Sequence, residues 1–154
     1  MSIKEKISSL GLSLPTAAAP VAAYVPAVKS GNLVFTAGQL PVVDGKLLKE
    51  GKVGREVTAE EAKEFAQICA LNALAAISLV ADLDQIERVV RVGGFVNCAP
   101  GFTAIPGVVN GASEFLIQVF GDRKGKHART AVGVVELPLN APIEIEIIVK
   151  LNDS

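Results

Sequence analysis

The segment PIEIEIIVKL, Pro142 to Leu151, alternates so regularly that it admits only one kind of element. In an extended chain Ile143, Ile145, Ile147 and Val149 fall on one side, and Glu144, Glu146, Ile148 and Lys150 on the other. A helix would scatter those residues around its axis; a strand collects them on one apolar face that another layer must cover. The stretch before it, ARTAVGVVEL from Ala128 to Leu137, also reads as a strand, with PLNA as the short connection of a hairpin. That strand opens on Arg129. A guanidinium is costly to bury without an anion beside it, so Arg129 either stays in water or meets something negative.

Two helical patterns supply the cover. Thr58 followed by Glu61 is a capping-box signature, after which Ala62, Phe65, Ala66, Cys69, Ala73, Ile77 and Val80 keep to one face until Asp82 and Asp84 mark the end. Val108, Ala112, Phe115, Leu116 and Val119 describe a second amphipathic helix that stops at Gly121. A shorter helix over residues 3–10 is stopped by Gly11. The Pro/Ala-rich lead-in that follows is expected to be extended, because Pro15, Pro20 and Pro26 each restrict the residue before them. SGN at 30–32 reads as a turn, LVFTAGQ at 33–39 as a buried strand, and VVDGKLL as a tight hairpin around Asp44-Gly45. IERVVRVGGFVNC at 86–98 is strand-like, with Gly93-Gly94 marking a bulge or a close backbone approach. The order is strands, helix, strand, helix, strands. It predicts a single α+β domain over 1–154, a two-layer sandwich of a mixed sheet with two helices on one face, preceded by an N-terminal extension over 1–14.

Composition narrows the function classes. Fifteen basic and sixteen acidic residues give a net charge of −1, which argues against a general polyanion binder. The one basic cluster, DRKGKHAR from Asp122 to Arg129, reads as a solvated loop, so a nucleic-acid partner is not expected. Two distant cysteines and a single histidine offer no metal-ligand spacing, and no metal or cofactor is expected. The start MSIKEKISSLGL has no signal-peptide core and no apolar run reaches membrane-spanning length, so the chain is expected to be cytoplasmic.

The hairpin reading has a geometric consequence. If Leu137 pairs near Pro142, Arg129 lies opposite a residue near Lys150, and Glu144 sits about 20 Å up the hairpin at ~3.3 Å per residue. One small ligand cannot span that, so a second subunit would have to bring the two together. A sheet face mixing Glu144, Glu146 and Ile148 also fits a subunit interface better than open solvent.

The stretch ARTAVGVVELPLNAPIEIE resembles the C-terminal signature of the Rid/YjgF family: an Arg-led strand, an LP turn and an (I/V)EIE strand. APVAAYVPAV, SGNLVFTAGQLPV and VVN at 108–110 extend the likeness to residues 18–150. The resemblance implies a chorismate-mutase-like fold, homotrimers with clefts between subunits, and hydrolysis of reactive enamines and imines of small 2-amino acids to 2-oxo acids and ammonia. Some members were first described as ribonucleases or translation inhibitors. Carried over by position, Arg129 matches the arginine that holds the substrate carboxylate and Glu144 the glutamate that handles the attacking water. Tyr24, Asn110 and Gly38 match the tyrosine, the asparagine and the glycine that line the cleft.

This chain departs from the pattern in places. Ala131 stands where the family often has cysteine, His127 where it often has proline, and the loop before Arg129 is longer than in short members. Each candidate also has a plainer reading. Arg129 could pair Glu136, Glu146 or a partner's carboxylate; Glu144 could be a solvated strand residue; Tyr24 could be packing; Asn110 could cap a helix. His127 is either polar surface or, with its near-neutral pKa, a proton donor to a departing amine at the cleft mouth. Beside the deaminase reading stand a ribonuclease carried by the Arg123, Lys124, Lys126 and His127 loop, and a non-catalytic metabolite-binding trimer.

Overall fold

Most elements of the computed structural model, which describes residues 1–17 and 22–154, form where the side-chain pattern asks for them. Helix α1, Ile3–Ser9, is capped by Ser2 and Glu5 bonding each other's backbone N–H, and Gly11 follows it in the left-handed region at φ +78°. Strands β1, Ala27–Ser30, and β2, Leu33–Thr36, are joined through Gly31. Strands β3, Val42–Val43, and β4, Lys46–Leu47, form the small hairpin expected around Asp44-Gly45, both residues at positive φ. Part of the lead-in expected to be extended lies outside the described residues.

Helix α2, Ala59–Ile77, starts at Thr58, whose hydroxyl accepts from the Glu61 N–H at 3.0 Å. It ends earlier than Asp82; Val80 lies past it and is exposed. Strand β5, Ile86–Asn97, leads to helix α3, Ile105–Gly125, in which Gly121 at φ +79° breaks the helical path before one last turn. Strands β6, Ala128–Val134, and β7, Ile143–Leu151, complete the chain.

The five long strands make one sheet in the order β1-β2-β7-β5-β6, antiparallel except for the parallel pair β5 and β6. The hairpin expected from β6 and β7 therefore does not form, because β5 lies between them. The physical reason is the connection. β6 ends at Val134 and β7 starts at Ile143, so the link spans 135–142, longer than a tight hairpin loop and long enough to step over one strand. A buried polar latch holds it there. Asn97, fully buried at the end of β5, donates to the Asn140 side chain at 3.2 Å and the Ala141 carbonyl at 3.1 Å. Lys52 caps the latch, donating to the Asn97 side chain at 2.7 Å and to the Val135 carbonyl.

Both long helices lie on one face of the sheet, as expected. Ile143, Ile145, Ile147 and Val149 are buried under them with Val34, Val92, Val96, Cys69, Leu74 and Phe115. At these few positions the layers come close. Gly94 faces α3, where a Cβ would sit 2.6 Å from the Val109 methyls, so the close-approach reading of Gly93-Gly94 holds and the bulges lie nearer the strand's start. Gly111 lets α3 meet α2: a Cβ there would be driven into the Lys63 carbonyl, with that carbon 2.8 Å away. Backbone cannot swing aside as a side chain can, so Gly111→Ala should lower unfolding free energy by about 1–3 kcal/mol. Gly107→Ala, on the same helix with nothing within 4 Å of the new methyl, should raise it by about 0.5–1 kcal/mol. Urea-denaturation midpoints test both, and an unchanged midpoint for Gly111→Ala would refute the close crossing.

Candidate functional site

Arg129 sits on the edge strand β6 and turns to the helix side of the sheet, level with buried Val92 of β5. There α3 presents Asn110 and Ser113, three residues apart and hence on one helix face. The Arg129 Nη1 donates to the Asn110 carboxamide oxygen at 2.7 Å and to the Ser113 hydroxyl at 3.3 Å. Asn110 therefore does not cap the helix, whose N-cap is Ala104; it holds the arginine. With Nη1 donating to two acceptors, the guanidinium keeps its Nε and Nη2 edge without a partner among the described residues, and that edge matches a carboxylate's two oxygens. Ala131, two residues on, faces the same side and packs partly against the core.

His127 stands just before β6, half-buried. Its Nδ1 lies 2.6 Å from the Gly125 carbonyl and its Nε2 2.8 Å from the Ser113 hydroxyl. Burial pushes its pKa below the ordinary histidine value, and the Arg129 charge adds to this. Both ring nitrogens thus have protein partners, which leaves neither free to serve a departing amine in this arrangement. Ser113 is the member of the group that sequence reasoning missed. The available signal was a hydroxyl set on the apolar stripe of α3, between Ala112 and Leu116, one turn from Asn110.

Glu144 belongs to the other face of the sheet. It is half-buried and its carboxylate lies flat over Gly38, where a Cβ would come within 2.8 Å of its carboxyl carbon. Glu146 lies over Gly93 in the same way. Burial raises the Glu144 pKa above the usual carboxylate range, and repulsion from Glu146 raises it further. The surrounding face is uncovered and partly apolar, with Val28, Phe35 and Val132 exposed at 51, 40 and 38%.

Within one chain these groups do not meet. Through the pairings of Val92 with Arg129 and with Ile147, Glu144 lies about 14 Å from Arg129 between Cα atoms, at the spacings of paired strands. It is nearer than the hairpin reading implied, but the sheet itself stands between the two side chains. Tyr24, exposed, precedes β1, which is the opposite edge strand from β6. One chain thus carries two half-sites: Arg129 with Asn110, Ser113 and His127, and Glu144 with Gly38. The basic segment is not the loop expected throughout: Asp122 to Gly125 form the last turn of α3, where Lys124 donates to the Ile86 carbonyl at 3.3 Å and Asp122 pairs Lys126 at 3.1 Å.

The family described as "YjgF/chorismate_mutase-like, putative endoribonuclease" matches residues 4–151, nearly the whole chain. The chain belongs to the YjgF family. Among relatives, Protein TCP17 of Trypanosoma cruzi is 40% identical over 98% of this chain and 95% of its own length. A 2-iminobutanoate/2-iminopropanoate deaminase of Dermatophagoides farinae is 33% identical, covering 90% of this chain and 93% of its own. The solved structure of Atu1372 from Agrobacterium tumefaciens superposes with a TM-score of 0.88 at 42% identity, over 97% of this chain and 92% of that one. The YjgF fold is therefore the chorismate-mutase-like α+β sandwich expected from the sequence. No helix among the described residues is long and apolar enough to cross a membrane.

The environment of Glu144 in this YjgF-family chain makes a pH prediction. A carboxyl that holds its proton to higher pH in the folded state than in the unfolded chain takes up protons on folding, so its ionisation erodes stability as pH rises through that window. Glu144→Gln should therefore be more stable than the parent at about pH 7 and equal to it at about pH 3, below the ~4.3 of a free glutamate. Denaturation midpoints at the two pH values check this; a variant less stable than the parent at neutral pH would count against it.

Proposed function

We propose that this protein hydrolyses reactive imines and enamines of small 2-amino acids to 2-oxo acids and ammonia, at sites shared between the subunits of a homotrimer in the cytoplasm. The observation that carries the reading is the Arg129 guanidinium, oriented by neutral acceptors and offering its Nε–Nη2 edge. A planar fork of that kind grips a carboxylate in one register. The deaminase named among the relatives supports the substrate class.

In this reading Arg129 of one subunit holds the substrate carboxylate, and Glu144 of a neighbour faces the C=N carbon. Glu144 takes a proton from water as the oxygen bonds to that carbon, then returns it to the nitrogen. From the carbinolamine, C(OH)NH2, Glu144 takes the hydroxyl proton as the carbonyl forms and passes it to the nitrogen as the C–N bond breaks, so NH3 leaves and the 2-oxo acid remains. A carboxyl whose pKa is lifted by burial suits both halves of that transfer. Tyr24 and Gly38 would line the cleft beside it, with Ala131 and Asn110 on the arginine's side. Two features favour assembly: the β6 edge, and the uncovered, partly apolar sheet face. They lie on different parts of the chain, so a contact between them is head-to-tail, and three copies form a closed ring when each contact rotates the next by a third of a turn.

The ribonuclease reading has less to stand on. It needs a free imidazole or a second acid–base group in the basic loop, and His127 has both nitrogens engaged. A coupled assay in which a pyridoxal-phosphate lyase generates 2-iminobutanoate or 2-iminopropanoate tests the proposal. The wild type should speed release of the 2-oxo acid. Arg129→Ala should lower kcat/KM by about 10²–10³, as for loss of a charge-assisted bidentate contact, and Glu144→Gln should lower kcat by about 10²–10⁴. Retention of full activity by Arg129→Ala would overturn the mechanism; tight 2-oxo acid binding without turnover would make the protein a metabolite binder instead.

A further inference from the structure

The arginine's setting carries an inference that rests on the reading above and deepens it. The Gly125 carbonyl can only accept, so the His127 Nδ1 that lies 2.6 Å from it carries the proton. In the neutral ring Nε2 is then an acceptor, and the Ser113 hydroxyl 2.8 Å away must donate to it. With its proton committed to the imidazole, the Ser113 oxygen turns a lone pair outward, and Arg129 Nη1 is 3.3 Å from that oxygen. Each bond fixes the direction of the next, starting from a backbone carbonyl that cannot reverse.

A serine in mid-helix would otherwise turn its hydroxyl back to a carbonyl of the preceding turn. An unheld arginine on an edge strand would spread over its rotamers. We infer that Ser113 and His127 are positioning residues for Arg129: the imidazole orients the serine hydroxyl, the hydroxyl and Asn110 together hold Nη1, and the Nε–Nη2 edge is thereby presented to a 2-oxo or 2-imino acid carboxylate. Neither residue touches the substrate in this scheme. It gives a physical role to His127, which replaces the proline frequent in the family. Neutral acceptors also leave the arginine's full charge for the ligand, which a carboxylate in the same place would quench.

The test reads binding as well as turnover. The dissociation constant for 2-oxobutanoate, the product acid, is measured by calorimetry for wild type, Arg129→Ala, Ser113→Ala, Arg129→Lys and the Ser113→Ala/Arg129→Lys pair, beside KM and kcat. Ser113→Ala should weaken 2-oxobutanoate and raise KM about tenfold, the scale of one hydrogen bond to a charged group, with kcat within about twofold. In the Arg129→Lys background the same substitution should change binding by less than about twofold, because it acts through the guanidinium. The chain has a single histidine, so its imidazole nitrogens can be read by NMR without assignment; at pH 8 the proton should reside on Nδ1.

Unchanged binding by Ser113→Ala while Arg129→Ala loses it would overturn this inference alone. So would an equal effect of Ser113→Ala in the lysine background, or a proton on Nε2. Unchanged binding by Arg129→Ala, or no binding by the wild type, would overturn both this inference and the carboxylate clamp. Binding without imine hydrolysis, with the Ser113 effect intact, would remove the deaminase reading and leave the positioning pair standing.

Discussion

The position of β5 between β6 and β7 decides where every candidate group can go. Because α3 joins β5 to β6, the two run parallel, with the helix packed across the sheet as the crossover requires. β7 must then enter on the other side of β5, and the latch of Asn97, Lys52 and Asn140 holds the connection over the strand end. The outcome is an edge strand bearing Arg129 and a central strand bearing Glu144. Had β6 paired directly with β7, one flat hairpin would have carried both. Instead the arginine faces the helices and the glutamate faces away, and no side-chain rotation can carry either through the sheet. A chemistry that needs both must use two chains.

The two half-sites are prepared in opposite ways. Arg129 is oriented by Asn110 and Ser113, both neutral, so its direction is fixed while its charge remains unspent. Glu144 has no cation paired with it among the described residues; it lies over a glycine, next to a second carboxylate, in a setting that disfavours its charge. The pair of glycines at 38 and 93 lets both carboxylates lie against the sheet where any side chain would lift them off it. A cation kept reactive toward anions and a carboxyl kept ready to carry a proton are complementary only when they face the same small molecule.

Much of this was legible in the sequence, and what was not has a physical explanation. Ile143, Ile145 and Ile147 declared a one-sided strand, Thr58 a helix start and Gly121 a helix break, because period, cap and positive φ are local properties. Strand neighbours are not local. Alternation in β6 and β7 says which side chains share a face but not which strand pairs with which, so ARTAVGVVELPLNAPIEIE reads equally as a hairpin or as two strands astride a third. Only the length of 135–142 separates the two readings, and Val135 to Leu137 continue the strand-like pattern past the end of β6 at Val134, which hides that length.

Ser113 was hidden for a related reason. A serine among Ala112, Phe115 and Leu116 resembles a small tolerated residue on an apolar stripe, and its meaning lies in partners fourteen and sixteen positions away. Asn110 invited the role of a cap because it lies near a helix start, yet α3 begins a turn and a half earlier and turns it toward β6. The signal that joins these two is their spacing: two polar residues three apart on a helix, facing the strand that follows it, need a polar partner on that strand if they are to be buried. Arg129 is that partner. A guanidinium at the head of an apolar strand and a polar pair on an apolar helix each look anomalous alone, and each accounts for the other.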